Sequence, residues 1–401
     1  MRRIVIVGAG QAGMLLALGL QQHGYQITVV TERDADTIRT GRILSNQCMF
    51  DKALRFERQQ GLNFWDDRAP TVDGIAFRAT AGISWESPLD NPGQSVDQRL
   101  KMSDWLTEFA KRGGEIRLQR VGPADLEELA REFSLVLVAA GRGPQFAQLF
   151  ARDSALSPFS EAQRGISLLY VKTKGTEYQG VNFALGPEGE FFSLPLLSVD
   201  GPRCGIYFSG IPGGPLDCWD DVANSEDFFE RASKALERHF PWLASLLVDA
   251  EPGGPLDFLK GRIAPVVRDP VGTLDSGAKV LAMGDTAVTN DPIAGQGANM
   301  AAHCAAAYQQ TILEQGDRPF DEEFMRLGFQ RFWEIGQHAT RFSNDLLLPP
   351  PDHVLATLAT AQQVPEVAHR FAELFNDPRD YTGWLTDEET AIRYIQEATA
   401  R

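Results

Sequence analysis

Apolar residues fill positions 4–7 without a break, stop at Gly8, and resume from Met14 to Leu20. A short apolar run closed by glycine reads as a buried strand, and the second run as a helix laid against it. Gln26 to Val30 repeats the strand pattern, as do Leu135 to Ala140 before Gly141 and Val280 to Met283 before Gly284. These distant pieces are expected to share one sheet, which makes the domain they build discontinuous. Between them, β-rich runs bounded by Pro/Gly clusters occupy Gly165–Thr173, Phe191–Leu197 and Arg203–Ile211, and Glu226–His239 reads as a helix upon them. From about Pro319 onward helical patterns dominate, broken at Pro349-Pro350-Pro351. The expected fold is α/β. It comprises a Rossmann-like domain (residues 1–70, 97–160 and 262–320), an inserted mixed β-sheet domain (71–96 and 161–261) and a helical C-terminal cap (321–401).

Gly8, Gly10 and Gly13 stand at G-x-G-x-x-G spacing between strand and helix. Gly8 permits the tight turn, Gly10 lets a phosphate approach the backbone, and Gly13 lets the helix pack on the strand. The helix N-terminus, with Gln11 and Ala12, then faces an anion. Glu32 ends the second strand where a carboxylate takes ribose hydroxyls, with Arg33 beside it, although Thr31-Glu32-Arg33 is also what an ordinary solvated turn looks like. The turn accepts NAD or FAD alike. The second stretch, Gly284-Asp285 followed by Asp291-Pro292 and Gly295-Gln296-Gly297-Ala298-Asn299, selects FAD. Asp285 at a strand end is placed for a ribityl hydroxyl. A helix opening near Gly295 to Ala298 aims N–H groups at the pyrimidine edge of the flavin, and its positive end favours the anion formed on reduction.

Composition narrows the class. The chain has 401 residues, 43% of them hydrophobic and 23% charged, and a net charge of −16. Two domains are expected, and the acidic balance argues against nucleic acid and anionic membranes as partners. No apolar run approaches the ~20 residues of a membrane span. The N-terminus is already strand and glycine turn, which leaves no place for a signal peptide. Cys48, Cys204, Cys218 and Cys304 are scattered, as expected of reduced thiols in a cytoplasmic protein. Six histidines, none at ligand spacing, offer no metal site.

The chain resembles the two-component styrene/indole monooxygenases over nearly its whole length. The likeness rests on Gly8-x-Gly10-x-x-Gly13, Thr31-Glu32-Arg33, Arg42-Ile43-Leu44-Ser45, Val96-Asp97-Gln98-Arg99-Leu100, Ser157-Pro158-Phe159 with Gln163-Arg164, and Gly284-Asp285 through Asn299-Met300-Ala301. It implies FAD reduced elsewhere by a separate NADH-dependent flavin reductase, and epoxidation of an aryl-conjugated alkene through a C4a-hydroperoxide formed with O2. No acid–base residue is then required. Single-component hydroxylases carry an Asp-Gly pair after the middle strand; here the place is Ala140-Gly141, and no second dinucleotide fingerprint exists. Both agree with a cofactor that arrives reduced. Homodimers are common among such proteins.

The resemblance places Arg42 and the following segment beside the flavin ring. If that segment is extended, Ser45, Gln47 and Met49 share one face. These three residues, with Val72 and Ile75, match the indole-preferring branch rather than the styrene-preferring one. Indole has an N–H and styrene has no polar atom; Gln47 or Ser45 can accept that bond, while Met49, Val72 and Ile75 would line a flat apolar slot. Pro292 and Phe191-Phe192 are further candidates for its walls. Arg42 and Arg99 are candidates for the FAD phosphate or ring edge, with plain salt bridges as the alternative. His303 reads as packing or surface. The expected function is that of an external flavoprotein monooxygenase converting indole to its 2,3-epoxide, and thence to indoxyl and indigo. The alternatives are a styrene or aryl-alkene epoxidase that also forms sulfoxides, a self-sufficient FAD dehydrogenase or halogenase-like enzyme, and a non-catalytic FAD-binding protein.

Overall fold

A computed structural model describes residues 2–80, 82–174 and 178–400. Strand β1 (Arg3–Val7), helix α1 (Gln11–Gln22) and strand β2 (Gln26–Thr31) form the opening unit, followed by α2 (Ala35–Thr40) and α3 (Asp51–Gln59). The hairpin β3 (Thr71–Ala79) and β4 (Ser84–Gln94) precedes α4 (Gln98–Lys111), β5 (Glu115–Leu118), α5 (Pro123–Glu132) and β6 (Leu135–Val138). Strands β7 (Gly165–Lys172), β8 (Val181–Gly186), β9 (Gly189–Ser198) and β10 (Gly201–Gly210) lead to α6 (Ser225–His239). Short strands β11 (Glu251–Pro252), β12 (Phe258–Arg262), β13 (Val266–Val267), β14 (Val271–Thr273), β15 (Lys279–Ala282) and β16 (Val288–Thr289) return the chain to α7 (Gly297–Gln315). Helices α8 (Glu322–Leu346), α9 (Asp352–Ala361), α10 (Pro365–Glu373), α11 (Arg379–Trp384) and α12 (Glu388–Thr399) complete it.

The strands make a six-stranded sheet of order β14-β15-β6-β1-β2-β5, parallel except for β14, and a mixed sheet of order β11-β7-β10-β9-β8-β3-β4, with β12 also on β7. Parallel neighbours need crossovers, and the crossover helix α1 between β1 and β2 is buried along nearly its whole length. That sequence carries no polar stripe because sheet and helices enclose it on every side. The mixed sheet buries both faces. Phe191, Ile206 and Phe208 lie under α6, while Ile75, Phe77, Phe183, Leu194 and Tyr207 meet the C-terminal helices through Phe342, Phe371 and Phe375. The C-terminal helices therefore pack on the mixed sheet. No helix among the described residues is long and apolar enough to cross a membrane.

The two sheets are tied by buried charge. Arg99, at the start of α4, donates to Asp97 and to Asp257, each through Nη2 at 2.6 Å, and Nη1 reaches the Gly41 carbonyl at 3.2 Å. Ser198 on β9 donates to the same Asp97 carboxylate. Arg99 is thus a buried brace joining α4, β9 and the β11–β12 turn. Its guanidinium is not available to FAD, and its ion pair is not on the surface. The reason is electrostatic: Asp97 and Asp257 are both buried, and Arg99 is the cation that bridges them. Arg99→Met should destabilise the fold by about 3–5 kcal/mol, because both acids lose their counter-charge in place. A lowered urea midpoint with unchanged slope would report it.

Candidate active site

The carboxyl ends of β1, β2, β6 and β15 open onto one groove, the place where open parallel sheets bind ligands. Gly8, Gly10, Glu32, Gly284 and Asp285 follow the ends of β1, β2 and β15, and Pro292, Gly295, Gly297 and Ala298 lie at the start of α7; these residues, with Arg33 and Arg42, are half-buried or exposed. The glycines divide the work. A Cβ on Gly8 (φ +118°) would lie 2.2 Å from the Ala139 carbonyl oxygen, and one on Gly13 would lie 2.5 Å from the Gly8 oxygen. These two glycines let β6 and α1 close on the turn. A Cβ on Gly10 would meet nothing within 4 Å, and the same holds for Gly297. These two face open space, which leaves room for a ligand to approach the backbone.

Both helices that start on this groove lack a side-chain cap. Gly10 precedes α1 and Gln296 precedes α7, and neither side chain bonds the first turn. Helices α2, α4, α6, α8 and α12 are capped by Asp34, Asp97, Asn224, Asp321 and Asp387, whereas α3, α9, α10 and α11 resemble α1 and α7 in having no side-chain cap. Uncapped N–H groups on two helices facing one groove suit a diphosphate at α1 and a ring edge that becomes negative at α7. Gln11 and Ala12 are buried, so the first turn offers its backbone rather than side chains. Glu32 is exposed at the end of β2 and meets Arg120 at 3.5 Å. Asp285 follows β15 with Arg142 at 3.8 Å. Arg42 is exposed and makes no ion pair among the described residues. This set fits FAD: two anion-accepting helix ends with acids placed for hydroxyl groups.

Asn299 has a different role from that suggested by its motif. Its Oδ1 accepts the Phe50 N–H at 2.9 Å, and its Nδ2 donates to the carbonyls of Cys48 (2.8 Å) and Gly295 (2.9 Å). The amide is fully engaged within the protein, so Asn299 offers a cofactor only its backbone. What it does is hold the segment that ends at Phe50 against the start of α7.

That segment divides its side chains between two cores, and here the sequence expectation needs correcting. Met49 lies on the side of the segment opposite Cys48 and Phe50, where its sulfur meets polar groups rather than a flat apolar slot. Its backbone pairs with Gln94, and its sulfur lies 3.1 Å from Lys101 Nζ and 3.5 Å from Gln11 Nε2. Lys101 and Gln11 both donate to Glu57 Oε1 at 2.6 Å, all fully or nearly fully buried. Met49 therefore covers a buried ion pair beneath the α1 N-terminus. Cys48 and Phe50 point the other way, into the cluster that holds Val72, Ile75, Phe192 and Ile293. Burial pushes the Cys48 thiol up to about 12, so it stays neutral and acts as a small apolar residue. Val72 and Ile75 share a face because a bulge falls between Val72 and Gly74. Of the Phe191-Phe192 pair only Phe192 faces this cluster; Phe191 lies under α6 on the opposite face.

Gln47 is buried. Its Nε2 donates to the Val96 carbonyl at 2.7 Å, while its Oε1 has no partner; Ser45 Oγ is likewise buried and unpartnered. Pro292 is half-buried in the turn before α7. His303 lies on α7, and burial holds its imidazole down to about 4, hence neutral. Asp90, His369 and Glu373 gather on the surface where α10 meets β4; Asp90 sits 3.2 Å from His369, and Glu373 accepts the Asp90 N–H. Sequence reasoning missed Cys48, Phe50, the Lys101–Glu57 pair and Asp291, which is fully buried just before Pro292. A carboxylate beside a Pro/Gly loop was the available signal for Asp291; the others depend on partners far along the chain.

Comparisons with known proteins give the class first. Solved structures share the fold across almost the whole chain. They include a flavoprotein/dehydrogenase from Cytophaga hutchinsonii (TM-score 0.70, 12% identity, 99% of this chain and 100% of that one). A probable FAD-dependent monooxygenase, pqsL of Pseudomonas aeruginosa, is also similar (0.66, 14%, 91% and 99%), as is the flavin-dependent brominase Bmp2 (0.64, 14%, 95% and 92%). Residues 2–91 match the pyridine nucleotide-disulphide oxidoreductase family, and residues 141–245 match the "Styrene monooxygenase A putative substrate binding domain". Styrene monooxygenase StyA of Pseudomonas fluorescens is 30% identical over 394 residues, covering 94% of this chain and 93% of that protein. StyA of a Pseudomonas sp is 29% identical over 389 residues, with the same coverage. The chain belongs to the styrene monooxygenase family and is a FAD-dependent flavin monooxygenase.

The glycine turn allows a direct check. Gly10→Ala should leave the fold intact yet lower FAD affinity at least about tenfold, by ~1.4 kcal/mol, because its methyl occupies the phosphate's approach. Gly8→Ala should instead lower Tm, since its methyl collides with Ala139. Fluorescence titration with FAD and thermal melts on both variants separate the two effects.

Proposed function

We propose that this chain is the oxygenase component of a two-component flavin monooxygenase and that its substrate is indole, epoxidised across C2=C3. The product opens to indoxyl and couples in air to indigo. FAD reduced by a separate NADH-dependent reductase supplies two electrons, O2 supplies the transferred atom, and the second oxygen leaves as water. The chain's own part is to bind, orient and exclude water. The α1 turn, Glu32, Asp285 and the α7 N-terminus would hold the cofactor. The cluster of Val72, Ile75, Cys48, Phe192 and Ile293 keeps the neighbouring volume dry, which suppresses loss of the oxygen as H2O2.

The observation that carries indole is the pair of buried acceptors without partners, Gln47 Oε1 and Ser45 Oγ. A buried acceptor left unpaired costs about 1–3 kcal/mol. The indole N–H relieves that cost and styrene cannot. The StyA relatives support the second reading, a styrene or aryl-alkene epoxidase that also makes sulfoxides, for which Gln47 would serve only the Val96 carbonyl.

Single turnover decides between them. Photoreduced FAD is bound anaerobically, without reductase or NADH, and mixed with O2 and equimolar indole and styrene. Oxygenated product with indole in excess is the expected result. Styrene oxide in excess favours the second reading, and H2O2 alone rejects both. In the same assay Gln47→Val should reduce indole turnover at least about tenfold more than styrene turnover, as expected for one lost hydrogen bond. An equal loss on both would remove Gln47 from recognition.

A further inference from the structure

Asp291 opens the short turn Pro292–Ala294 that delivers the chain to α7. Its side chain is fully buried. Oδ1 accepts the Ile293 N–H at 3.0 Å and so caps the turn, while Oδ2 has no hydrogen-bond partner. A bare carboxylate oxygen in such a place is costly, whereas a protonated carboxyl is tolerated.

The charged groups acting on it come from the mixed sheet. Arg164, just before β7, pulls toward ionisation but is held by Glu190 of β9 in a two-pronged pair, 2.9 Å on each arm. Glu190 pushes the other way. Tyr207 of β10 is the remaining titratable neighbour, its hydroxyl buried without a partner and kept neutral chiefly by burial. Burial is the largest influence on Asp291 and pushes its carboxyl up to about 7, against the Ile293 N–H and Arg164.

The place of this carboxyl gives the proton a consequence. The turn it caps ends at Gly295 in the left-handed conformation, immediately before the uncapped start of α7. On the reading given above, reduced flavin carries its negative charge at that helix end. We propose that Asp291 is a proton-bearing positioning residue through which the protein favours reduced over oxidised FAD: neutral, it leaves the positive helix end unopposed, and once ionised it opposes the reduced cofactor's charge. It acts through the turn and the local field. The proposal rests on the FAD reading of the groove.

The test compares the intact protein with Asp291→Asn, which keeps the oxygen that caps Ile293 but cannot ionise. Dissociation constants for oxidised and photoreduced FAD are measured anaerobically from pH 6 to 8.5. The titration of free reduced flavin is common to both proteins and cancels in the comparison. At pH 6 the two proteins should agree within about twofold. By pH 8.5 the native preference for reduced FAD should have fallen about tenfold relative to the variant, the size expected for one opposing charge at protein distances. Parallel profiles with FAD still bound would overturn the proposal alone. No binding of either form by either protein would overturn the groove reading and the proposal with it.

Thermal melts add a second readout. A carboxyl raised by folding costs no stability below the unfolded value of 3.8, and costs progressively more as pH rises through the folded value of about 7. The Tm of Asp291→Asn minus that of the native protein should therefore grow between about pH 4 and 7 and level off above. A flat difference would mean that Asp291 holds no proton, and would overturn the proposal.

Discussion

The amide of Asn299 decides where the two walls of the groove stand. One wall is the start of α7 and the turn before it; the other is the segment running from Arg42 to Phe50. They are some 250 residues apart in sequence, and Asn299 joins them by one bond accepted from Phe50 and one donated to Cys48, while its other N–H holds its own turn at Gly295. Because the bonds reach Gly295, Cys48 and Phe50 at once, the register of this segment is set by the start of α7. The Met49–Gln94 bridge and the Gln47–Val96 bond fasten the same segment from its other edge. It is extended backbone without a sheet of its own, held in place by side chains.

Buried charge plays the parallel part at larger scale. Arg99 with Asp97 and Asp257, Lys101 with Glu57, and Arg164 with Glu190 each join elements from different stretches of chain. Such pairs contribute little net stability compared with apolar replacements. They are demanding about geometry, however, and a groove assembled from four chain segments needs relative placement as much as adhesion. For Lys101 burial is the stronger influence and lowers the affinity of its amine for a proton, with Glu57 opposing.

The parallel sheet, its glycine turn and the Gly284-Asp285 strand end were legible in the sequence because each depends on local pattern: an apolar run, a fixed glycine spacing, a carboxylate at a strand end. The β-rich runs and the final helices were legible for the same reason. What was not legible depends on partners. The partner of Arg99 that makes it a brace lies 158 residues away at Asp257. Alternation does sort this segment, since Cys48 and Phe50 enter one cluster and Met49 turns to the other; what the pattern could not give is that the Met49 side is filled by Lys101, Gln11 and Glu57. The Asn299 motif was visible, but a motif gives position and not the direction of a side chain. The orphaned oxygens of Gln47, Ser45 and Asp291 are properties of burial alone.

The position of Met49 also bears on how such a protein ages. Activating O2 beside a thioether risks sulfoxide formation, which would place a polar oxygen in the core. Met49 lies one residue from the apolar cluster, yet its sulfur is turned to the far side of the backbone and receives the Lys101 ammonium and the Gln11 amide. Both donors draw on the lone pairs that peroxide would attack. A thioether engaged by two donors is less open to such oxidation, and the ion pair below gains a polarisable cover that a branched aliphatic residue would not provide.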